Sequence, residues 1–208
     1  FGAIKTGENL KINFNVAPTQ YAYVITDEHP DQLSYYRWGL VPHWAKDTKS
    51  AARLINARME GIASKPSFRV AIRKRRCLVL ADSFYEWKKD GNRKIPFRIL
   101  PKKEELLVFA GIWEVWYQEE EPLHTFSIIT SSPNQEVAPV HNRMPLVLPK
   151  KAQWNKWLSD LKIDEVLDLL QPPPDGILKK YQVSEQVNSV RNNGPELHRE
   201  VGGQGSLF

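Results

Sequence analysis

Apolar runs rich in aromatic and β-branched residues, separated by short polar stretches of turn formers, recur along most of this chain, the pattern of β-strands. The segments QYAYVITD, LSYYRWGL, CLVLADSFYEW, IPFRIL, LLVFAGIWEVWY and HTFSIITS are rich in aromatic and β-branched residues and are bounded by turn formers, so each is predicted to be a strand. Asp90-Gly91, inside KKDGNRK, predicts a hairpin between two of them.

Helical spacing enters late. Trp154, Trp157 and Leu158 fall at i, i+3 and i+4 and predict an amphipathic helix, and DEVLDLLQ predicts another that PPPDG stops. Ser132, Pro133 and Gln135 have the spacing of an N-cap, a first-turn proline and a capping-box partner, which predicts a short helix ending near His141. Strands first and helices inserted late predict an α+β protein: a single domain with a largely antiparallel, β-barrel-like core and a few peripheral helices. That domain is expected to span residues 1–201, with 202–208 as a separate flexible tail.

Composition narrows the class. The chain of 208 residues has 41% hydrophobic residues, including seven Trp, seven Tyr and eight Phe, enough for one packed core. No apolar run approaches the roughly 20 residues of a membrane span, so no membrane partner is expected. The lone Cys77 excludes an internal disulfide and any multi-cysteine zinc pattern, and points to a reducing, cytoplasmic setting. Neither a metal nor a cofactor is expected, and the protein is expected to be a monomer. The net charge of +5 leans mildly toward anionic partners. RVAIRKRRC (Arg69 to Cys77) concentrates five of the cations, as a phosphate-tracking run or as the solvated side of a helix.

Four polar clusters stand out. In RLINARMEG, Asn56, Arg58 and Glu60 alternate and would share one face of a strand, as a site or as a salt-bridged surface strip. In DSFYEWKK, Glu86 lies among Phe84, Tyr85 and Trp87, where desolvation would raise its pKa as a general acid or base requires; pairing with Lys88 or Lys89 on an edge strand is the alternative. In APVHNRMPLVLP, His141 is placed as a proton shuttle would be, with Arg143 two residues on to hold a phosphate or carboxylate, although a lone histidine is more often structural. QVNSVRNNGPEL is a polar loop that either closes over a groove or is simply a loop. No nucleophile announces itself: Cys77 sits in an apolar run as an inert buried thiol would, and there is neither a GxSxG elbow nor a phosphate-binding glycine loop.

Taken in order, NFNVAPTQ, YYRWGLVPHWAKD, LINARMEG, RRCLVLADSFYEWKK, FAGIWE, SIITSSPN, VAPVHNRMPLVL and VNSVRNNGPEL resemble the SOS response-associated peptidase family from about Asn15 to Leu197. The resemblance implies one α+β domain with a cationic groove for single-stranded DNA and a covalent thiazolidine crosslink to abasic sites. It also implies self-removal of the initiator methionine by peptidase action, with lyase activity as a further expectation. The nucleophile it implies is an N-terminal cysteine, which this chain does not carry at its first residue, Phe1. It assigns proton transfer to Glu86, ring opening and proton shuttling to His141, and positioning of the cysteine or lesion to Asn56. Arg58 and Arg143 would bind the flanking phosphates, and Pro18, Trp38 and Trp44 would line the groove, Trp44 being the stacking candidate. Asn142 departs from the aspartate the family often has after the histidine.

A thiol peptidase acting on other proteins and a non-catalytic single-strand-binding module are the competing readings. QGSLF at the C-terminus resembles peptides that bind the replication sliding clamp, with Gln204 hydrogen-bonding and Leu207 and Phe208 filling an apolar pocket.

Overall fold

A computed structural model describes residues 10–49, 51–103, 106–117 and 120–202. The residues named for clamp binding, Gln204, Leu207 and Phe208, lie outside them.

Five of the strands close into a barrel: β1 (Tyr21–Thr26), β2 (Ser34–Trp38), β4 (Arg76–Ala81), β7 (Leu107–Trp116) and β8 (Leu123–Ser131). They are hydrogen-bonded in the order β2-β1-β4-β7-β8, and β8 pairs back with β2. Closure is parallel, Arg37 opposite Thr125 and Trp38 opposite Phe126, whereas the other four pairings around the ring are antiparallel. The short β3 (Asn56–Arg58) also runs parallel to β8, and β9 (Met144–Pro145) pairs with it antiparallel. A second sheet, β10-β6-β5, consists of β5 (Phe84–Asp90), β6 (Arg93–Pro101) and β10 (Leu178–Gln182), the last of which no strand pattern in the sequence predicted. This is the α+β, largely antiparallel architecture expected from the element order.

A strand's period of two explains why β7 is buried over its whole length. Phe109, Trp113 and Val115 join Val79, Phe126 and Ile128 in one apolar cluster, while Val108, Ala110 and Ile112 join a second cluster with Ile72, Trp157 and Val166. The second cluster is roofed by α1 (Ala71–Lys74), α2 (Lys151–Leu158) and α3 (Ile163–Asp168). Trp157, fully buried, also donates its indole N–H to the Cys77 carbonyl at 3.0 Å, fixing α2 to β4. Its truncation to alanine would cost about 3–5 kcal/mol.

Three expectations change on folding. CLVLADSFYEW is not one strand: the chain turns at Asp82-Ser83 and passes from the barrel to the second sheet. Arg98 of β6 pins that corner, Nη2 donating to Asp82 at 2.8 Å and Nε to the Ser83 hydroxyl at 2.9 Å. The segment before His141 is a run of turns, not a regular helix, and its cap is Asn134 instead of Ser132: Oδ1 of Asn134 accepts from the Val137 amide at 3.1 Å. The cationic run divides: Arg69, Arg73 and Lys74 are exposed, the last two on α1, whereas Arg75 and Arg76 turn inward. The guanidinium of Arg76, 2% exposed, donates to the carbonyls of Ile72, Arg73, Trp157 and Ser159, and Arg75 pairs with buried Glu114. The hairpin forms as expected, Asp90 opposite Arg93 with Gly91 at φ +57°, a conformation that suits glycine. No helix among the described residues is long and apolar enough to cross a membrane.

Candidate active site

A cavity of about 1240 Å³ opens between the barrel and the second sheet. Pro18, Trp38, Asn56, Glu86, His141 and Asn142 all line it, although they come from five separate places in the chain.

Glu86 is the third residue of β5, paired with Phe97 on β6. Its side chain is 23% exposed, and its Oε1 lies 3.7 Å from Nδ1 of His141. Burial raises the carboxyl pKa above its ordinary value, opposed by the charge of His141 and a backbone hydrogen bond from Trp87. The ion-pair neighbour of Glu86 is therefore His141, not Lys88 or Lys89.

His141 leaves the capped turn, its amide donating to the Val137 carbonyl at 3.0 Å. Its Nδ1 is 3.0 Å from the Arg143 carbonyl oxygen and 3.2 Å from the Arg143 amide nitrogen. When Nδ1 carries a proton it donates to the carbonyl, and when it does not it accepts from the amide. The backbone of Arg143 thus offers this nitrogen a hydrogen-bond partner with or without its proton. That is the requirement for a proton shuttle.

Asn56 is carried by β3, whose pattern of exposed, buried and exposed residues buries only Ala57. The indole N–H of Trp38 donates to the Ile55 carbonyl at 2.9 Å and steadies the backbone entering that strand. Arg58 follows on the same exposed face but is not part of the cavity wall.

Arg143 is engaged elsewhere. Its Nη1 and Nη2 grip the two oxygens of Glu60 at 2.8 and 2.9 Å, and Nη2 also donates to the Thr130 carbonyl at 2.6 Å. The Arg143 guanidinium beside Glu60 holds that carboxyl below its usual value. Thus the third member of the alternating strip pairs with Arg143, and the fork-to-carboxylate geometry anchors the loop that carries His141. Trp44 is 58% exposed and does not line the cavity; it stands on a turn closed by the Ala45 amide on the Pro42 carbonyl.

Pro18 reaches the cavity on a tight turn. The Gln20 amide donates to the Ala17 carbonyl at 3.1 Å, and Thr19 takes φ +71°, as the third residue of a type II turn must. A β-branched residue there is strained, a cost of about 1–3 kcal/mol that accumulates at functional sites.

The polar C-terminal loop does close over the groove, with Val187, Asn188 and Val190 on the cavity wall. Its anchor, Asn15, was not legible as such. Buried at 7% exposure, Asn15 donates from Nδ2 to the carbonyls of Val187, Ser189 and Asn192. Trp87 was also missed as a wall residue; its indole N–H donates to Oδ1 of Asn188 at 2.8 Å. Cys77 is fully buried, and desolvation pushes its thiol well above the ordinary range, as an inert core cysteine requires. Among the described residues, no cluster of His, Cys, Asp and Glu is grouped to hold a metal ion.

Residues 1–190 match the family model for the SOS response associated peptidase (SRAP). The abasic site processing protein YoqW of Bacillus subtilis (strain 168) is 44% identical over 190 residues, covering 89% of this chain and 84% of that protein. The abasic site processing protein HMCES of Gallus gallus is 36% identical over 186 residues, covering 77% of this chain and 55% of that protein. A solved structure of a protein from Bacteroides thetaiotaomicron superposes with a TM-score of 0.79 at 30% identity, over 88% of this chain and 82% of that one. One from Bordetella bronchiseptica, at a TM-score of 0.74 and 21% identity over 85% of this chain and 90% of that one, shares the fold.

Proposed function

The chain belongs to the SOS response associated peptidase family, and on that premise we propose that it processes abasic sites in single-stranded DNA, with Glu86 and His141 as its proton-transfer pair. The observation that carries the reading is the facing of these two side chains across 3.7 Å in a cavity that also receives Asn56. An abasic sugar has no base to stack and opens to an aldehyde. A cavity at the junction of two sheets can admit it once the strand is unpaired.

The chemistry runs through an amine and a thiol on one nucleophile. His141 takes the anomeric hydroxyl proton while Glu86, whose carboxyl pKa burial raises, supplies a proton to the ring oxygen, which frees the aldehyde. His141 hands the proton it took to Glu86 across the 3.7 Å between them. The α-amine of an N-terminal cysteine adds to the aldehyde carbon, its surplus proton passing to the carbonyl oxygen. The carbinolamine hydroxyl leaves as water with the proton from Glu86, which regains one from the iminium nitrogen. The thiol sulfur then adds to the imine carbon and its proton passes to nitrogen, closing a thiazolidine. Cys77 cannot be that cysteine, because it is enclosed in the core. Leu10, Lys11 and Asn13 run along the cavity wall, which brings the N-terminal side of the chain to the aldehyde. Asn56 presents its carboxamide to the lesion or to the amine. The same proton-transfer pair would serve hydrolysis of a peptide bond ahead of the cysteine, the peptidase step implied by the family.

The test is a denaturing gel of the full-length native protein after incubation with a single-stranded oligonucleotide carrying one abasic site. A shifted band that resists denaturation, and is lost when the N-terminal cysteine is replaced, is expected. A correctly folded protein with that cysteine confirmed by mass spectrometry and no band would overturn the reading.

A further inference from the structure

The cavity extends well beyond Glu86 and His141, and its outer half has a character of its own. Tyr21 and Tyr23 are two apart on β1, so they face the same way, and Tyr23 is paired directly with Tyr35 on β2. The three rings form a ladder, with centroids 5.4 Å apart for Tyr21 and Tyr35 and 4.8 Å for Tyr23 and Tyr35. Tyr21 is 41% exposed and Tyr35 is 38% exposed, so ring faces are left open to solvent although the ladder belongs to the cavity wall. The ammonium of Lys11 stands 5.6 Å over the Tyr35 ring, and the Lys11 amide donates to the Tyr23 hydroxyl.

Across the cavity, the hairpin of β5 and β6 contributes Lys88, Lys89 and Lys94 to the wall. The acidic residues on the same wall are Asp82 and Glu86; Asp82 is already paired with Arg98, and Glu86 is the candidate catalytic group. The outer channel is thus an aromatic ladder on one side and a lysine edge on the other. Aromatic faces beside lysines match one polymer best, a single strand whose bases are unstacked and whose phosphates repeat. A duplex would hide its base faces, and an apolar peptide would have no use for the lysines.

We infer that Tyr21, Tyr23 and Tyr35 form a stacking subsite for undamaged bases flanking the lesion, with Lys11 and the Lys88, Lys89 and Lys94 edge holding the adjoining phosphates. The inference rests on the reading of this chain as a single-strand DNA enzyme and adds the path of the strand. The path leaves the Glu86 and His141 centre along the barrel strands β1 and β2, away from Arg143 and Trp44. The subsite is sequence-tolerant, because every base offers a π face to stack on a ring.

The experiment is anisotropy of a labelled, undamaged oligothymidylate about a dozen nucleotides long titrated with the full chain and with a double variant, Tyr21→Thr with Tyr35→Thr. Threonine keeps the strand preference and removes the ring. Loss of two stacking partners is expected to weaken binding by about tenfold to a hundredfold, while Tyr117→Thr, at an exposed tyrosine away from the cavity, leaves binding unchanged. In the wild type, 5-iodouracil placed beside an abasic site should photocrosslink to Tyr21 or Tyr35. Unchanged affinity in a double variant with native circular dichroism would overturn the ladder and leave the abasic-site reading standing. A wild-type chain that binds no single strand would overturn that underlying reading as well.

Discussion

Nδ1 of His141 faces Oε1 of Glu86 at 3.7 Å, one from the turn after the barrel strand β8 and the other from the middle of a strand in the second sheet. The pair exists only because the chain breaks at Asp82-Ser83 and the two sheets meet. Its chemistry follows from the unequal surroundings of the two groups.

Burial raises the Glu86 pKa and His141 lowers it. A folded-state pKa above the unfolded value means that Glu86 adds stability below its unfolded pKa, and this contribution is lost as pH rises through the folded value. Glu86→Gln should therefore slow abasic-site crosslinking at neutral pH while raising the thermal midpoint, by about 2 °C for each kcal/mol relieved. In His141→Ala, the limb of the pH–rate profile assigned to Glu86 should move to higher pH, since the opposing charge is gone. A limb that stays in place would separate the two residues functionally.

The two N–H groups of Asn15 Nδ2 are shared among three loop carbonyls. Asn15→Ala should cost about 1–3 kcal/mol in urea denaturation, and hydrogen exchange should quicken selectively in residues 187–193. Uniform exchange across the chain would argue against a local anchor.

Arg143 holds Glu60 with both arms of its guanidinium, so a lysine, which offers a point charge, is no substitute. Arg143→Lys should lower the crosslinking rate about tenfold or more, with single-strand affinity nearly unchanged, because the loop carrying His141 loses its anchor. An equal loss of affinity, accompanied by a flatter salt dependence, would instead make Arg143 a phosphate ligand. The Glu60 pKa is lowered by Arg143, so this contact adds stability above the unfolded carboxyl pKa and is lost only as pH falls through the folded value.

Thr19 holds φ +71° in the turn that presents Pro18. Thr19→Gly should raise stability by about 1 kcal/mol, strain relief outweighing the greater freedom of glycine in the unfolded chain. A lowered urea midpoint would show that the threonine side chain contributes more than its backbone costs.

Cys77 lies beneath Gly111, where an added Cβ would meet its Sγ at 2.8 Å. The native protein should leave this thiol unreactive toward a disulfide reagent until urea unfolds it, and Cys77→Ala should still form the crosslink. Gly111→Ala should cost about 1–3 kcal/mol through overpacking.

Runs of aromatic and β-branched residues bounded by turn formers were enough to determine β1, β2, β6, β7 and β8, because strand preference is set by residues near one another in the chain. The Trp154, Trp157 and Leu158 spacing likewise determined α2, and a glutamate among aromatics was readable as a desolvated acid. The hairpin at Gly91 was local for the same reason.

Tertiary structure decided the rest through contacts between residues distant in sequence. The barrel closes by a parallel pairing of β2 with β8 that no local pattern encodes. The corner at Asp82-Ser83 depends on Arg98 from another strand, and the inward turn of Arg76 depends on carbonyls of α1 and of the end of α2. Asn56 and Arg58 looked equivalent in a period-two strip, yet of the two only Asn56 lines the cavity. Sequence periodicity specifies which side of a strand is apolar; which polar residue on the other side meets a partner is set by how the sheets pack.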